Sequence, residues 1–293
     1  MGAISSLFGY ILNFIYELVK NYGLAIIIFS VLLKLVLLPL SIKQHKTMKK
    51  TAKIQKKVKE IQEKYKNDQV KMSQEMMDLY KKENMSPFSG CLSSIIQIVL
   101  LLAMFGLVRS PLTHMKKIDL NTIDNYKAEI KQELGENSVS VSYPEISVLK
   151  YVNNYKSSED DLYINTNFLG LDLSNIPQEN LNDPKVFVIP LLYVLTSIIS
   201  MKMTTKMNNM NENKNDVIEI TEENKEKENL SAEDMTAQMS KSMTWFMPIM
   251  SVSISIIAPL GLALYWLVNN ILMILERLIL NKILKSEEEE QNG

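Results

Sequence analysis

A single cysteine, Cys91, stands in 293 residues, so no disulfide can close within the chain. Histidine is nearly as scarce. His45 and His114 fall in segments that the charge pattern places on opposite sides of a membrane, so a shared two-His metal site is not expected. No glycine-rich phosphate loop is present, and no nucleophile stands at a telling spacing from a base. The net charge is only −1, so no global field draws nucleic acid to the surface. The N-terminal stretch "MGAISSLFGYILNFIYELVKNYG" lacks a basic n-region and a small-residue cleavage site. Internal repeats of the kind found in secondary transporters are absent too.

What the chain has in quantity is apolar runs long enough for a bilayer, which need roughly 20 residues each. Five spans are predicted: 23–42, 88–108, 186–203, 244–258 and 261–284. The last two divide one apolar block at "APLG", residues 258–261, where Pro and Gly mark a tight turn. Residues 1–22 carry Leu7, Ile11, Phe14, Ile15 and Leu18 at helical spacing, which predicts an amphipathic helix lying in the membrane interface. The expected fold is an all-α polytopic membrane protein, with five transmembrane helices and a separate cytoplasmic helical hairpin.

Basic residues orient the spans. Residues 43–87 hold 13 Lys against six acids, so they are expected in the cytoplasm. Residues 109–185 hold 8 Lys or Arg against 12 acids, which suits the outer side. Residues 204–243 are predicted to be a cytoplasmic, acidic and disordered loop. The tail 285–293 is acidic and cytoplasmic. The whole predicts N-out, C-in.

Segment 43–87 has more than charge. Ile54, Val58, Ile61 and Tyr65 recur at helical spacing, and Met72, Met76, Leu79 and Tyr80 do so after "KNDQ". Two amphipathic helices joined by a short turn are expected, with a basic outer surface carrying Lys49, Lys50, Lys53 and Lys57. The chain also holds 18 Met, flexible side chains that suit a surface meeting varied partners. Residues 112–165 have weaker mixed patterning and are expected to form a small outer subregion.

One charge stands out of place. Lys34 lies in the middle of "IIIFSVLLKLVLLPL", residues 26–40. An ammonium at mid-bilayer costs about 2.5–3.5 kcal/mol on insertion scales. No acid lies well inside another span, and Glu276 reads as too close to the cytoplasmic end to be more than a distant partner. Water in a concavity among the helices is then the expected source of hydration. Polar residues that could line it are Ser93, Ser94 and Gln97 in the second span, Thr196, Ser197 and Ser200 in the third, Ser251, Ser253 and Ser255 in the fourth, and Asn269 and Asn270 in the fifth. Bonds between helices would equally occupy the serines.

Several blocks carry a resemblance. "YGLAIIIFSVLLKLVLLPLSIKQHKTMKKTAKIQ" resembles the first core span and basic hairpin of YidC-type membrane protein insertases. "NMSPFSGCLSSIIQIVLLLAMFGLVRSPL" is similar to the family's second core span. "NFLGLDLSNIP" and "FMPIMSVSISIIAPLGLALYWLVNNILMILE" resemble the approach to the third span and the last hairpin. The blocks lie in the family's order and cover residues 8–110, 163–206 and 243–284.

The resemblance implies a membrane protein insertase that moves nascent membrane proteins from the cytoplasm into the bilayer without nucleotide hydrolysis. It is not an enzyme and needs no cofactor or metal. The five transmembrane helices would surround a hydrophilic groove, open to cytoplasm and lipid, that carries one positive charge. Lys34 matches that position, where the family usually has Arg, so a point charge is kept and a bidentate fork is lost. Gln97, Ser94, Ser197 and Asn269 would line the groove. The hairpin, with Lys49, Lys50, Lys53, Ile54, Lys57, Met72 and Met76, would receive the client. Implied partners are nascent membrane proteins and the lipid bilayer, with the ribosome and a Sec-type translocon as further candidates and no direct sequence-specific contact with nucleic acid. The implied location is the bacterial plasma membrane. Insertions at about 113–162 and 208–238 and the acidic tail "KSEEEEQNG" depart from the family pattern. The alternative is a small transporter or channel subunit in which Lys34 is an ion or substrate site.

Overall fold

Why the chain folds as two bodies follows from the break between its apolar runs and its basic hairpin. The computed structural model describes residues 2–83, 91–158, 160–208 and 253–292. One compact unit comprises Met1–Leu38, Ile95–Ser197 and Ser251–Gly293, and the other Pro39–Ser94 and Ile198–Met250.

In the first unit, α1 (Gly2–Val19) buries Ser5, Phe8, Gly9, Leu12, Ile15 and Tyr16, spaced by three or four residues on one face. That face packs on a single π-helical turn, Leu112–Lys116. The approach is so close that a Cβ on Gly9 would stand 2.1 Å from the His114 carbonyl oxygen. Ser5 Oγ donates to the Ala103 carbonyl at 2.9 Å. Leu7, Ile11, Phe14 and Leu18 remain exposed on the other side of α1, while Ile15 turns inward.

Asn21 opens α2 (Tyr22–Lys64): its Oδ1 accepts from the Leu24 N–H at 3.0 Å. The helix continues 43 residues with Pro39 inside it, so the first span and the first arm of the hairpin are one element. Ala25, Ile26 and Phe29 are buried in the first unit. The other apolar helices there are α4 (Cys91–Arg109), α7 (Val188–Asn208) and α8 (Leu260–Asn292). Each buries one side and exposes the rest. Leu35 and Val36 on α2, Leu191 and Leu195 on α7, and Leu275, Leu278 and Ile279 on α8 all lie open. Apolar helices with satisfied backbones and apolar outer faces suit lipid. Among the described residues, four stretches are long and apolar enough to cross a membrane: Gly2–Val19, Tyr22–Thr47, Pro184–Met203 and Leu260–Ile283. Ile98–Arg109 is a shorter apolar stretch. Of the expected span 244–258, only 253–258 lies within the described residues, and 253–257 is helical. The loop 204–243 is outside them beyond residue 208.

The region of weak patterning, 112–165, is largely folded. Asp119 caps α5 (Leu120–Leu134), accepting from the Thr122 N–H at 3.0 Å, and Gly135 ends it. Pro144 starts α6 (Pro144–Tyr155). Ile123 and Ile130 of α5 and Ile146, Leu149 and Val152 of α6 join the main core. A two-stranded hairpin follows, β1 (Asn167–Phe168) and β2 (Leu171–Asp172), closed by Leu169 and Gly170 at φ 51° and 80°. Just past it, the Leu173 carbonyl accepts from the Gly261 N–H and the Asn175 carbonyl from the Leu260 N–H, both at 2.9 Å. These bonds tie the start of α8 to the same region. Gly261 in turn lies against the Tyr22 ring, where a Cβ would come within 3.1 Å. The starts of α2 and α8 are therefore neighbours.

In the second unit, the continuation of α2 packs on α3 (Gln69–Lys82). Ile54, Val58 and Leu79 form its small core, with Ile61, Met76 and Tyr80 beside them. Asp68 caps α3 by accepting from the Lys71 N–H at 3.0 Å, and Lys57 pairs with Glu83 at 2.7 Å.

Candidate functional site

Lys34 Nζ lies 2.5 Å from Glu276 Oε2. This corrects the expectation that Glu276 is only a distant partner and that water alone hydrates Lys34. The two helices start side by side at Tyr22 and Gly261, so depth is counted from a common origin. Lys34 is twelve residues beyond Tyr22 and Glu276 fifteen beyond Gly261. At 1.5 Å per residue these are depths of about 18 Å and 22 Å, a gap that one lysine arm spans. The error came from measuring each residue within its own span.

The pair is half sheltered. The Lys34 side chain keeps 26% of its surface and Glu276 keeps 9%. Glu276 Oε1 is buried without a hydrogen-bond partner among the described residues. Pairing cancels net charge in an apolar layer, and breaking such a pair from one side strands a charge at a cost of about 3–5 kcal/mol when burial is complete. Lys34 is a quarter open, so its loss from the pair costs less than that.

Other polar groups divide by helix. Asn269 lies seven residues before Glu276, two turns along nearly the same face of α8, but its Nδ2 donates to its own helix at the Tyr265 carbonyl, 2.9 Å. Asn270 reaches across instead, donating to Ser197 Oγ on α7 at 2.7 Å. Tyr193 and Trp266 meet in the same helix pair, ring centroids 5.6 Å apart. Thr196 bonds carbonyls of its own helix. Ser30, fully buried one turn before Lys34, donates to the Ile26 carbonyl at 2.8 Å. The structure thus brings together Lys34 with Glu276, and Ser197 with Asn270. Gln97 and Ser94 are helical in α4, but their side chains lie outside the described residues, as do those of Lys49 and Lys53. In the hairpin, Lys50 and Lys57 are exposed, Ile54 is buried, and Met72 and Met76 are half-buried. The sequence placed Glu276 too far from Lys34 and favoured Asn269 over Asn270. The shared start of α2 and α8 would have found the first. The second turns on the 100° between adjacent helical positions.

Comparison with known proteins decides the family. The model of the 60Kd inner membrane protein family matches residues 14–288. The chain belongs to that family. Within it, the membrane protein insertase YidC of Caldanaerobacter subterraneus subsp. tengcongensis is 26% identical over 290 residues, covering 98% of this chain and all of the relative. The insertase YidC of Treponema denticola is also 26% identical, over 94% of this chain but 37% of its own length. That of Caulobacter vibrioides reaches 41% identity over 95 residues, 32% of this chain and 15% of the relative. Like the family, this chain is an all-α multi-pass membrane protein.

Proposed function

We propose that this chain is a membrane protein insertase, taking nascent membrane proteins from the cytoplasm into the bilayer through a lipid-open hydrophilic groove, without nucleotide hydrolysis. The observation that carries the reading is the Lys34–Glu276 pair set among lipid-suited apolar helices in a member of the 60Kd inner membrane protein family. An ionisable pair inside spans is costly and marks function by default. The groove carries it, and Gln97, Ser94, Ser197 and Asn269 line the approach. The basic helical pair of the second unit, with Lys50 and Lys57 outward over Ile54, Val58 and Leu79, receives the client. A hydrated charge near mid-bilayer shortens the apolar barrier that a client's polar segment must cross.

The N-terminus lies outside and the C-terminus inside, with five crossings. Although α1 is long enough to cross, it packs on the turn Leu112–Lys116 and bonds to Ala103 and Asn165, with Phe8 against the Phe29 ring. It lies along the outer interface, with Leu7, Ile11, Phe14 and Leu18 toward lipid.

Purified protein in nucleotide-free liposomes should insert a small single-span client. Lys34→Arg should retain that insertion. Lys34→Ala should lower it selectively, leaving neutral translocated segments nearly normal and weakening those with two or more acids. The inserted fraction across a client series differing only in outer-segment charge is the measurement. Equal insertion of the whole series by the Ala variant would remove Lys34 as an electrostatic receptor.

A further inference from the structure

Lys34 is already occupied. Its ammonium sits 2.5 Å from Glu276 Oε2, so an arriving carboxylate meets a filled site. The filling is lopsided, because Glu276 Oε1 is buried with no hydrogen-bond partner among the described residues. A carboxylate with one oxygen dry and unbonded is held less firmly than one with both satisfied. Exchange of Glu276 for another carboxylate therefore trades an incomplete pair for one whose geometry is free to improve. The Lys34 side chain keeps 26% of its surface open, so the exchange takes place at the open side of the pair.

We infer that Glu276 is the resident occupant of Lys34, an internal stand-in for the client's acidic group that sets charge selectivity by competition. The inference rests on the insertase reading above. An acidic translocated segment displaces Glu276 from the ammonium and is displaced in turn when it moves on. A neutral segment makes no exchange and leaves the pair closed. Glu276 thus weakens the grip on acidic clients, which speeds their release, and keeps Lys34 paired between clients.

Carbodiimide, which joins an amine to a carboxylate in direct contact with loss of water, reads this exchange in liposome-reconstituted protein. The unaltered chain should give a Lys34–Glu276 link, detected by peptide mapping. A client with two Asp in its translocated segment should suppress that link and couple to Lys34 itself, whereas its Asn counterpart should do neither. In Glu276→Gln, nearly the same shape without the charge, coupling of the acidic client to Lys34 should rise about two- to fivefold, the scale of one half-screened ion pair. If that variant does not accumulate, the competition in the unaltered chain decides alone. A Lys34–Glu276 link insensitive to the acidic client, with Lys34→Ala still impairing that client's insertion, overturns the stand-in role and leaves the insertase reading intact. No insertion of any client by the unaltered chain overturns the insertase reading, and the inference with it.

Discussion

At the scale of single residues, two polar contacts do different work. Lys34 and Glu276 neutralise each other inside apolar helices. His114 instead fastens α1 to the turn Leu112–Lys116, its Nδ1 2.9 Å from Ser6 Oγ. Burial holds the His114 imidazole below its ordinary pKa. The Glu145 carboxylate, which accepts from the Thr113 N–H and hydroxyl, opposes that shift, and Lys117 adds to it. The sign follows from proton counting. A depressed folded-state pKa means the unfolded chain binds the proton first, so stability is full above pH about 6.5 and is lost as pH falls through the folded value. Thermal unfolding in detergent should therefore shift to lower temperature as pH drops below about 6.5. His114→Gln should flatten part of that slope, since Gln keeps a bond to Ser6 and does not titrate in this range. An unchanged slope in the variant would assign the pH dependence to other groups.

At the scale of elements, what could be read in the sequence depended on how cleanly each pattern repeated. The helical pair of the second unit was legible because Ile54, Val58, Met76 and Leu79 fall on helical spacing, and they do form its core. The long apolar helices were legible by length. The helices α5 and α6 were not, because both are short, α5 interleaves its apolar residues with charges, and they pack on each other within a core built from the whole unit. Their caps, Asp119 and Gly135 for one and Pro144 for the other, were the usable signal. The Lys34 anomaly was legible and Glu276 was in view as a distant partner, but their direct contact was not, since helix adjacency is a tertiary fact. A small two-helix core is marginal in water, so the pair should be sensitive. Leu79→Ala removes a side chain that is 9% exposed and should cost about 2 kcal/mol, the low end for core truncations because so small a core collapses readily. Hydrogen exchange should then speed up by about 30-fold across α3 and the facing turns of α2, with α7 amides unchanged. Met77→Ala, at an exposed position, should leave exchange rates as they are.

At the scale of the whole molecule, two lines of reasoning bear on which segments share a side of the membrane. Charge is one: thirteen Lys in 43–87 against an acidic excess in 109–185 favours the first inside and the second outside. Contact is the other, and it owes nothing to charge. The starts of α2 and α8 touch at Tyr22 and Gly261, and residues 173–175 hold the start of α8. Residues 173–175 and both helix starts therefore belong to one side, from which α2 and α8 depart together. A chain whose only cysteine is Cys91 makes the arrangement easy to test, since Cys91→Ser gives a cysteine-free background. Val141 is 95% exposed between α5 and α6, and Lys66 is exposed in the turn between α2 and α3. Val141→Cys should react with a membrane-impermeant maleimide added to intact cells. Lys66→Cys should react only in inverted vesicles. Labelling of both from outside would mean that α2 does not cross, and the five-span arrangement would fall. Labelling of Lys66→Cys from outside and Val141→Cys only in inverted vesicles would keep the helix contacts but reverse the orientation that the basic residues predict. Lys34 would then be approached from the wrong compartment for a client arriving from the cytoplasm.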